Sequence, residues 1–371
     1  MKTYLVTFLI ALGISALLTP IVLRLARHMR LFDPPDGERK VHAGEIPRLG
    51  GVAIAAGFLA PLLALLGWHN QVAQDLIREP NRSIAFLVGF LAIVALGLVD
   101  DLRGMKALPK LTVQIAVGVV LWAGGLSFDR ITVLDEPFHL GMWSLPFTVI
   151  WVAALVNAMN LIDGLDGLAG GIAFFAAISL FTIALLDGNG PLALFAAAIG
   201  GSVLGFLLYN FSPALIFMGD TGSMALGYIF AACSLWSAGK RSTTLSLLLP
   251  VVALGIPILD TVFAVVRRTL ARRSPFSSDR GHIHHRLLDL GLNQRQAVLI
   301  LYLICVCLTA IAILVRATDD LSWAITIISL LLALSGVSHA LRRRNAMNAP
   351  PPTKAVQPPT GLDPPPAAGG D

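Results

Sequence analysis

Residues 83–101 read Ser83-Ile-Ala-Phe-Leu-Val-Gly-Phe-Leu-Ala-Ile-Val-Ala-Leu-Gly-Leu-Val99-Asp100-Asp101, an uncharged apolar run that ends on two adjacent carboxylates. A helix rises about 1.5 Å per residue, so an apolar stretch of about 17–25 residues matches the hydrocarbon thickness of a bilayer. The rest of the chain repeats the pattern. Of its 371 residues, 56% are hydrophobic and 13% charged, whereas a soluble domain carries about 25% charged residues. A soluble chain this long must clothe its surface in polar groups, so the surface here faces lipid. Eleven segments read as spans: 3–23, 49–67, 83–99, 111–127, 144–161, 168–186, 191–209, 222–238, 245–266, 297–315 and 321–341. The first has a lone Lys2 and no small-x-small cleavage site, and so reads as a span rather than a removable leader. The expected fold is all-α, a polytopic integral membrane protein of about eleven transmembrane helices.

Lys and Arg give the orientation, because cytosolic loops hold them in excess. With the N-terminus outside, in the periplasm, the odd-numbered connections and the C-terminal tail carry 6, 3, 7 and 4 of them, or 20 of the 27. Losing or adding one span would scramble this parity. The basic pI near 9.4 is therefore a matter of topology, and nucleic acid is not an expected partner. Residues 1–341 form one integral domain. The tail, 342–371, holds eight prolines in its last 25 or so residues, cannot build a core, and is expected to be disordered and cytosolic. Cys233, Cys305 and Cys307 all lie in apolar runs and read as packing residues.

The acids are placed unevenly. Asp100 and Asp101 close the third span, Asp163 and Asp166 close the fifth, and Asp220 precedes the eighth. A topology built from Lys and Arg alone brings all five to the cytosolic interface. Carboxylates at membrane depth cost several kcal/mol unless paired or hydrated, and five on one face suggest a hard-cation site with oxygen ligands shared with phosphate. The run Asn157-Ala-Met-Asn160-Leu-Ile-Asp163-Gly164-Leu-Asp166-Gly167 cannot aim all four polar residues at one centre from a continuous helix, since nine positions at 100° place Asn157 and Asp166 on opposite sides. Gly164 and Gly167 permit a break, and the amides of the next helix would suit phosphate. In Phe217-Met-Gly-Asp220-Thr-Gly-Ser223, Asp220 is placed to ligate a metal and to complement a helix dipole. Two basic loops remain. Arg280-Gly-His282-Ile-His284-His285-Arg286 offers cations and imidazoles to a nucleotide diphosphate or a lipid phosphate, and Arg39-Lys40-Val-His42, with Pro47-Arg48-Leu-Gly50-Gly51, offers cations to a pyrophosphate. Asp260 either pairs with a basic residue or lines a lipid-phosphate groove.

With these motifs the chain resembles the polyprenyl-phosphate N-acetylhexosamine-1-phosphate transferase family over about residues 1–340. Five motifs stand in the family order: Arg39-Lys40-x-His42 with Ile46-Pro47-Arg48-x-Gly50-Gly51, Asp100-Asp101, Asn160-x-x-Asp163-Gly-x-Asp166-Gly, Met218-Gly-Asp220-x-Gly-Ser223, and His282-Ile-His284-His285. The family's enzyme for lipid-linked MurNAc-pentapeptide has three histidines in a row and then an acidic stretch. Here the pattern is similar to the WecA-like branch, which transfers GlcNAc-1-phosphate from a UDP-sugar to undecaprenyl phosphate at the start of a lipid-linked envelope glycan such as O-antigen.

The resemblance implies a multi-pass protein of the bacterial inner membrane whose active site faces the cytosol. It implies Mg²⁺, with Mn²⁺ as an alternative, held by Asp220 and Asp100, with Asp100, Asp101, Asp163 and Asp166 catalytic. Lys40, His42, Arg48, Asn157, Asn160, His282, His284 and His285 would bind a UDP-HexNAc and the polyprenyl phosphate. The assembly leaves room for a homodimer. A phosphate monoester with a second pKa of about 6 is already dianionic at neutral pH, so Asp100 and Asp101 fit metal and orientation roles better than that of a base. A covalent aspartyl-phosphate route stays open. Rival readings are the MurNAc-pentapeptide enzyme, an intramembrane prenyltransferase that would release pyrophosphate, and a secondary transporter, whose ionisable residues would cluster near the bilayer midplane.

Overall fold

The computed structural model describes residues 1–31, 46–67, 70–133, 136–238, 254–270 and 282–318. Lys40, His42, the last expected span and the proline-rich tail lie outside them. The described residues form twelve α-helices: α1 (Lys2–His28), α2 (Gly50–Leu66), α3 (Gln71–Arg78), α4 (Pro80–Arg103), α5 (Ala107–Ala123), α6 (Ser144–Ile162), α7 (Leu168–Leu186), α8 (Gly190–Asn210), α9 (Gly219–Ala238), α10 (Gly255–Leu270), α11 (Ile283–Asp289) and α12 (Gln294–Thr318). The described residues bear out an all-α membrane fold, with one small β element beside the helices. Between α5 and α6, β1 (Arg130–Val133) and β2 (Glu136–His139) pair antiparallel, Arg130 opposite His139. The short amphipathic α3 was likewise unforeseen, because both elements sit in connections too brief for a bilayer-length pattern to reveal.

Among the described residues, six helical segments are long and apolar enough to cross a membrane, and α2 and α5 are shorter apolar helices. The chain is accordingly a helical, multi-pass membrane protein. Helix α1 shows how lipid-facing and buried sides are divided. On α1 Leu5, Leu9, Leu17 and Leu25 face outward, with Leu17 71% exposed, while Thr7, Ala11, Ser15 and Thr19 line the buried side. Lipid is as apolar as leucine, so it gives leucine no reason to hide, and helices associate through small residues that let backbones approach. Gly201 and Gly205 of α8, four apart, lie directly against the α1 backbone at Phe8 and Leu12, and a Cβ at either position would overlap it.

Helix α9 is the hub of the bundle, buried along nearly its whole described length. An aromatic cluster joins α2, α4, α8 and α9. Phe86 stacks on Phe195 at 4.7 Å between ring centroids, and the Tyr228 hydroxyl donates to the Phe86 carbonyl at 2.7 Å. At its N-terminal end α9 is approached most closely. Gly51 of α2 lies on Gly222, and Gly97 of α4 lies on Thr221. A side chain at position 97 would push α4 off α9, at about 1–3 kcal/mol for overpacking. Gly97→Val is expected to lower the thermal unfolding midpoint of the detergent-solubilised protein, and an unchanged midpoint would mean that the α4–α9 contact can give.

Helices α4, α6 and α8 end, and α5, α7 and α9 begin, at one end of the bundle, as the side-chain contacts below establish. At the opposite end Arg316 of α12 pairs with Asp187 just beyond α7, its Nε 2.6 Å from Oδ1. Near the start of α7, Tyr302 of α12 donates to the Gly167 carbonyl at 2.6 Å. The two helices therefore run parallel.

Candidate active site

Asp100 and Asp101 are neighbours on α4, so their side chains leave the helix about 100° apart. They do different work. Asp101 turns toward the start of α9 and accepts three hydrogen bonds, from the amides of Asp220 (2.8 Å) and Thr221 (3.0 Å) and the Thr221 hydroxyl (2.6 Å). The first amides of a helix have no partner within it, and here a carboxylate from another helix supplies one. Gly219 makes the approach feasible. Its φ of +67° suits glycine, and a Cβ there would stand 2.6 Å from an Asp101 oxygen.

Asp100 turns instead to Lys110, at the start of α5. The Lys110 ammonium bridges Asp100 and Asp220, lying 2.6 Å from the Asp220 Oδ2. The other Asp220 oxygen accepts from Asn160 Nδ2 at 3.0 Å, and the same amide reaches the Ser223 hydroxyl at 3.0 Å. Carboxylates of two helices are thus drawn onto one cation, with an amide from α6 holding Asp220 from the other side. Asn157, one turn earlier on α6, is set deeper. It donates to the buried Gln114 of α5 at 2.6 Å.

Helix α6 stops at Ile162 and α7 starts at Leu168 after Gly167, whose φ is +76°. The break expected at Gly164 and Gly167 is where the helix breaks. Asn210, at the end of α8, locks this turn, accepting from the Gly167 amide (3.1 Å) and donating to the Ile216 carbonyl (2.9 Å). Asp166 is buried, and its Oδ2 accepts the Ala214 amide at 3.0 Å, binding the turn to the segment that leads into α9. Burial, with Asp220, Asp101 and Asp166 nearby, pushes Asp163 up to about 8. A folded-state value above the ordinary 3.8 means that the native protein keeps a proton the unfolded chain gives up. Stability from this group is complete below about pH 4 and is lost as pH rises toward 8. In metal-free buffer, Asp163→Asn should therefore gain thermal stability over the parent as pH goes from 5 to 9. Parallel unfolding curves across that range would refute the assignment.

The segment before α2 joins the same end through its backbone. The Phe217 amide donates to the Pro47 carbonyl (2.8 Å), the Gly50 amide to the Phe217 carbonyl (2.9 Å) and the Gly51 amide to the Met218 carbonyl (2.8 Å), with Arg48 bridged to Phe217. The two glycine-bearing motifs of this segment and of α9 are thus one structural unit.

The histidines lie over the α6–α7 turn. His284 is 2% exposed, and its Nε2 would stand 2.6 Å from a Cβ at Gly164. Its ring stacks with His282 (centroids 5.7 Å apart, planes 4° apart) and lies 4.4 Å from that of His285. Burial, then His285 and His282, hold His284 down to about 4, so at neutral pH it is an uncharged ring. His282 Nδ1 is 2.7 Å from the Asp260 Oδ2, and the Ile283 amide donates to Oδ1 at 2.8 Å.

Of the residues nominated from sequence, the structure brings Asp100, Asp101, Asn160 and Asp220 into one hydrogen-bonded cluster and sets Asp163 within its field. It places Asn157 one layer below, gives Asp166 a loop to hold, and lays His284 against Gly164. Lys110, Gln114, Asn210 and Thr221 were not nominated. In sequence Lys110 counts only as a topology charge, although a short connection alone separates its helix from the one that ends on Asp100 and Asp101. Among the described residues, no three His, Cys, Asp or Glu side chains are grouped to hold a metal by themselves.

Residues 83–238, which include this carboxylate cluster, match the family described as glycosyl transferase family 4. A Bacillus subtilis protein named a probable undecaprenyl-phosphate N-acetylglucosaminyl 1-phosphate transferase is 40% identical over 301 residues, 81% of each chain. The decaprenyl-phosphate N-acetylglucosaminephosphotransferase of Mycolicibacterium smegmatis is 36% identical over 72% of this chain and 71% of its own. The undecaprenyl-phosphate alpha-N-acetylglucosaminyl 1-phosphate transferase of Escherichia coli K12 is 27% identical over 86% of each. Sustained identity across a bundle whose matched segment includes the whole carboxylate cluster places the chain in glycosyl transferase family 4.

Proposed function

We propose that the chain transfers GlcNAc-1-phosphate from UDP-GlcNAc to a polyprenyl phosphate and releases UMP, the step that starts a lipid-linked envelope glycan. The observation that carries this is the meeting of Asp100 and Asp220 on one cation, Lys110 Nζ, at the polar end of an apolar bundle. Transfer between two pyrophosphate links needs little covalent help from the protein. It is chiefly positioning and neutralisation of charge. A phosphate oxygen of the lipid attacks the β-phosphorus of the nucleotide sugar, the bond to the bridging oxygen breaks, and UMP leaves with that oxygen.

The donor set suits Mg²⁺, which takes oxygen ligands and is usually bound by one or two carboxylates together with substrate phosphates. Asp220 and Asp100 would hold it. Bound there, the ion would draw charge from the diphosphate oxygens. The protein's own residues do the rest. Lys110 and Asn160 hold Asp220 from both sides, and Asp101 fixes the α9 turn from which Asp220 projects. His284 presents an uncharged ring at the α6–α7 turn. The Lys and Arg bias supports a cytosolic location for this end and an odd number of spans, eleven in the sequence reading, and the family resemblance supports a bacterial inner-membrane location.

The test is UMP release by purified protein with undecaprenyl phosphate, Mg²⁺ and a panel of UDP-sugars. UMP from UDP-GlcNAc, without inorganic pyrophosphate, is the expected result. Release from UDP-MurNAc-pentapeptide alone would move the chain to the other branch of the family, and no UMP from any sugar would remove the transferase reading.

A further inference from the structure

Asp260 lies in α10, among residues whose exposed neighbours Leu259, Val262 and Phe263 form an apolar outer face. A carboxylate in such a helix costs several kcal/mol unless it is paired. It is 6% exposed and points inward, and both of its oxygens are engaged by the histidine turn, one by the His282 ring and the other by the Ile283 amide. An ionised carboxylate can only accept, so Nδ1 of His282 must carry a hydrogen. The ring is thereby fixed in one orientation, and in its neutral form Nε2 is left as an acceptor. The same two contacts fix the backbone where α11 begins, and with it the stacked pair His282–His284 and the seating of His284 on Gly164, beside Asp163. The Nδ1 of His284 is buried with no hydrogen-bond partner among the described residues, so its place is set by packing and by this neighbouring clamp.

We propose that Asp260 is a positioning residue: it clamps His282 and the first amide of α11, and so presents the histidine turn to the sugar nucleotide. This rests on the transferase reading and adds to it a residue that touches neither substrate. It also decides between the two roles open to Asp260 in sequence, since a carboxylate committed inward to the histidine turn does not line a groove for lipid phosphate.

The experiment is a double-mutant cycle with Asp260→Ala, His282→Ala and the double variant, read as kcat/KM for UDP-GlcNAc and, separately, as UMP binding by calorimetry. Partners that orient a functional group typically matter by about 10- to 100-fold. Each single variant is expected to lose that much, mainly as a raised KM for UDP-GlcNAc, with the KM for polyprenyl phosphate unchanged. The double variant should be no worse than the worse single, because residues acting through one contact are not additive. Asp260→Asn, which keeps an oxygen for the Ile283 amide, should recover part of the loss and serves where the alanine variant does not fold. Losses that multiply in the double variant, or a raised KM for the lipid alone, would overturn the proposal. Wild-type protein that releases no UMP but still shows the coupling in UMP binding would sink the transfer reading and leave the clamp standing.

Discussion

Replacing Asp220 with alanine is expected to reduce UMP release by about 10³-fold, the scale on which removal of a preorganised electrostatic group acts, while the protein still elutes as a folded monodisperse species in detergent. The reason is its place in the cluster. Asp220 sits in the first turn of α9 and is held by Lys110 at 2.6 Å and Asn160 at 3.0 Å. Alanine would leave Lys110 paired with Asp100 alone and would leave Asn160 its bond to Ser223, so the bundle keeps its framework and loses a charge. Asp220→Asn sharpens the test. It preserves shape and removes the negative charge, and a variant still turning over within about threefold of the parent would show that the charge is not what this site needs. The expected outcome is that asparagine is nearly as damaging as alanine and that added Mg²⁺ does not restore the rate.

The helical, multi-pass character was legible because hydropathy over a bilayer length is a long, redundant signal. The parity of Lys and Arg along the loops placed the acidic segments at one end before any contact was known, and the contacts of Asp101 and Lys110 with α9 bear out that they share an end. The break after Asp163 was legible for a different reason: a helix cannot turn Asn157 and Asp166 to one side, and two glycines lay where the chain had to bend.

What stayed hidden is pairing across distance. Lys110 and Asp220 are 110 residues apart, and a lysine in a basic loop looks like any other topogenic charge. Asp260 lies 22 residues from His282, and only the fold shows that the two meet. Adjacent letters misled as well. Asp100 and Asp101 read as a matched pair, yet neighbours on a helix diverge, and one of them faces a cation while the other faces backbone amides.

That divergence gives Asp101 an expected phenotype unlike that of Asp220. Its carboxylate is the partner of two amides and one hydroxyl at the start of α9. Each buried donor left without an acceptor costs about 1–3 kcal/mol. Asp101→Ala should therefore lower the unfolding midpoint as well as the rate, by several degrees and by about 10²-fold, and Asp220, no longer anchored from behind, should need more Mg²⁺ for half-maximal turnover. Asparagine offers one accepting oxygen and turns an NH₂ group toward groups that also donate, so it should rescue little. A general base would behave otherwise. Its removal would spare the unfolding midpoint and the Mg²⁺ requirement and erase the alkaline-side rise in rate. The lipid phosphate, already dianionic at neutral pH, gives such a base little to do, whereas the three donors at the head of α9 give this carboxylate a full occupation. A rate loss in Asp101→Ala with an unshifted unfolding midpoint would return Asp101 to the chemistry and take it from the framework.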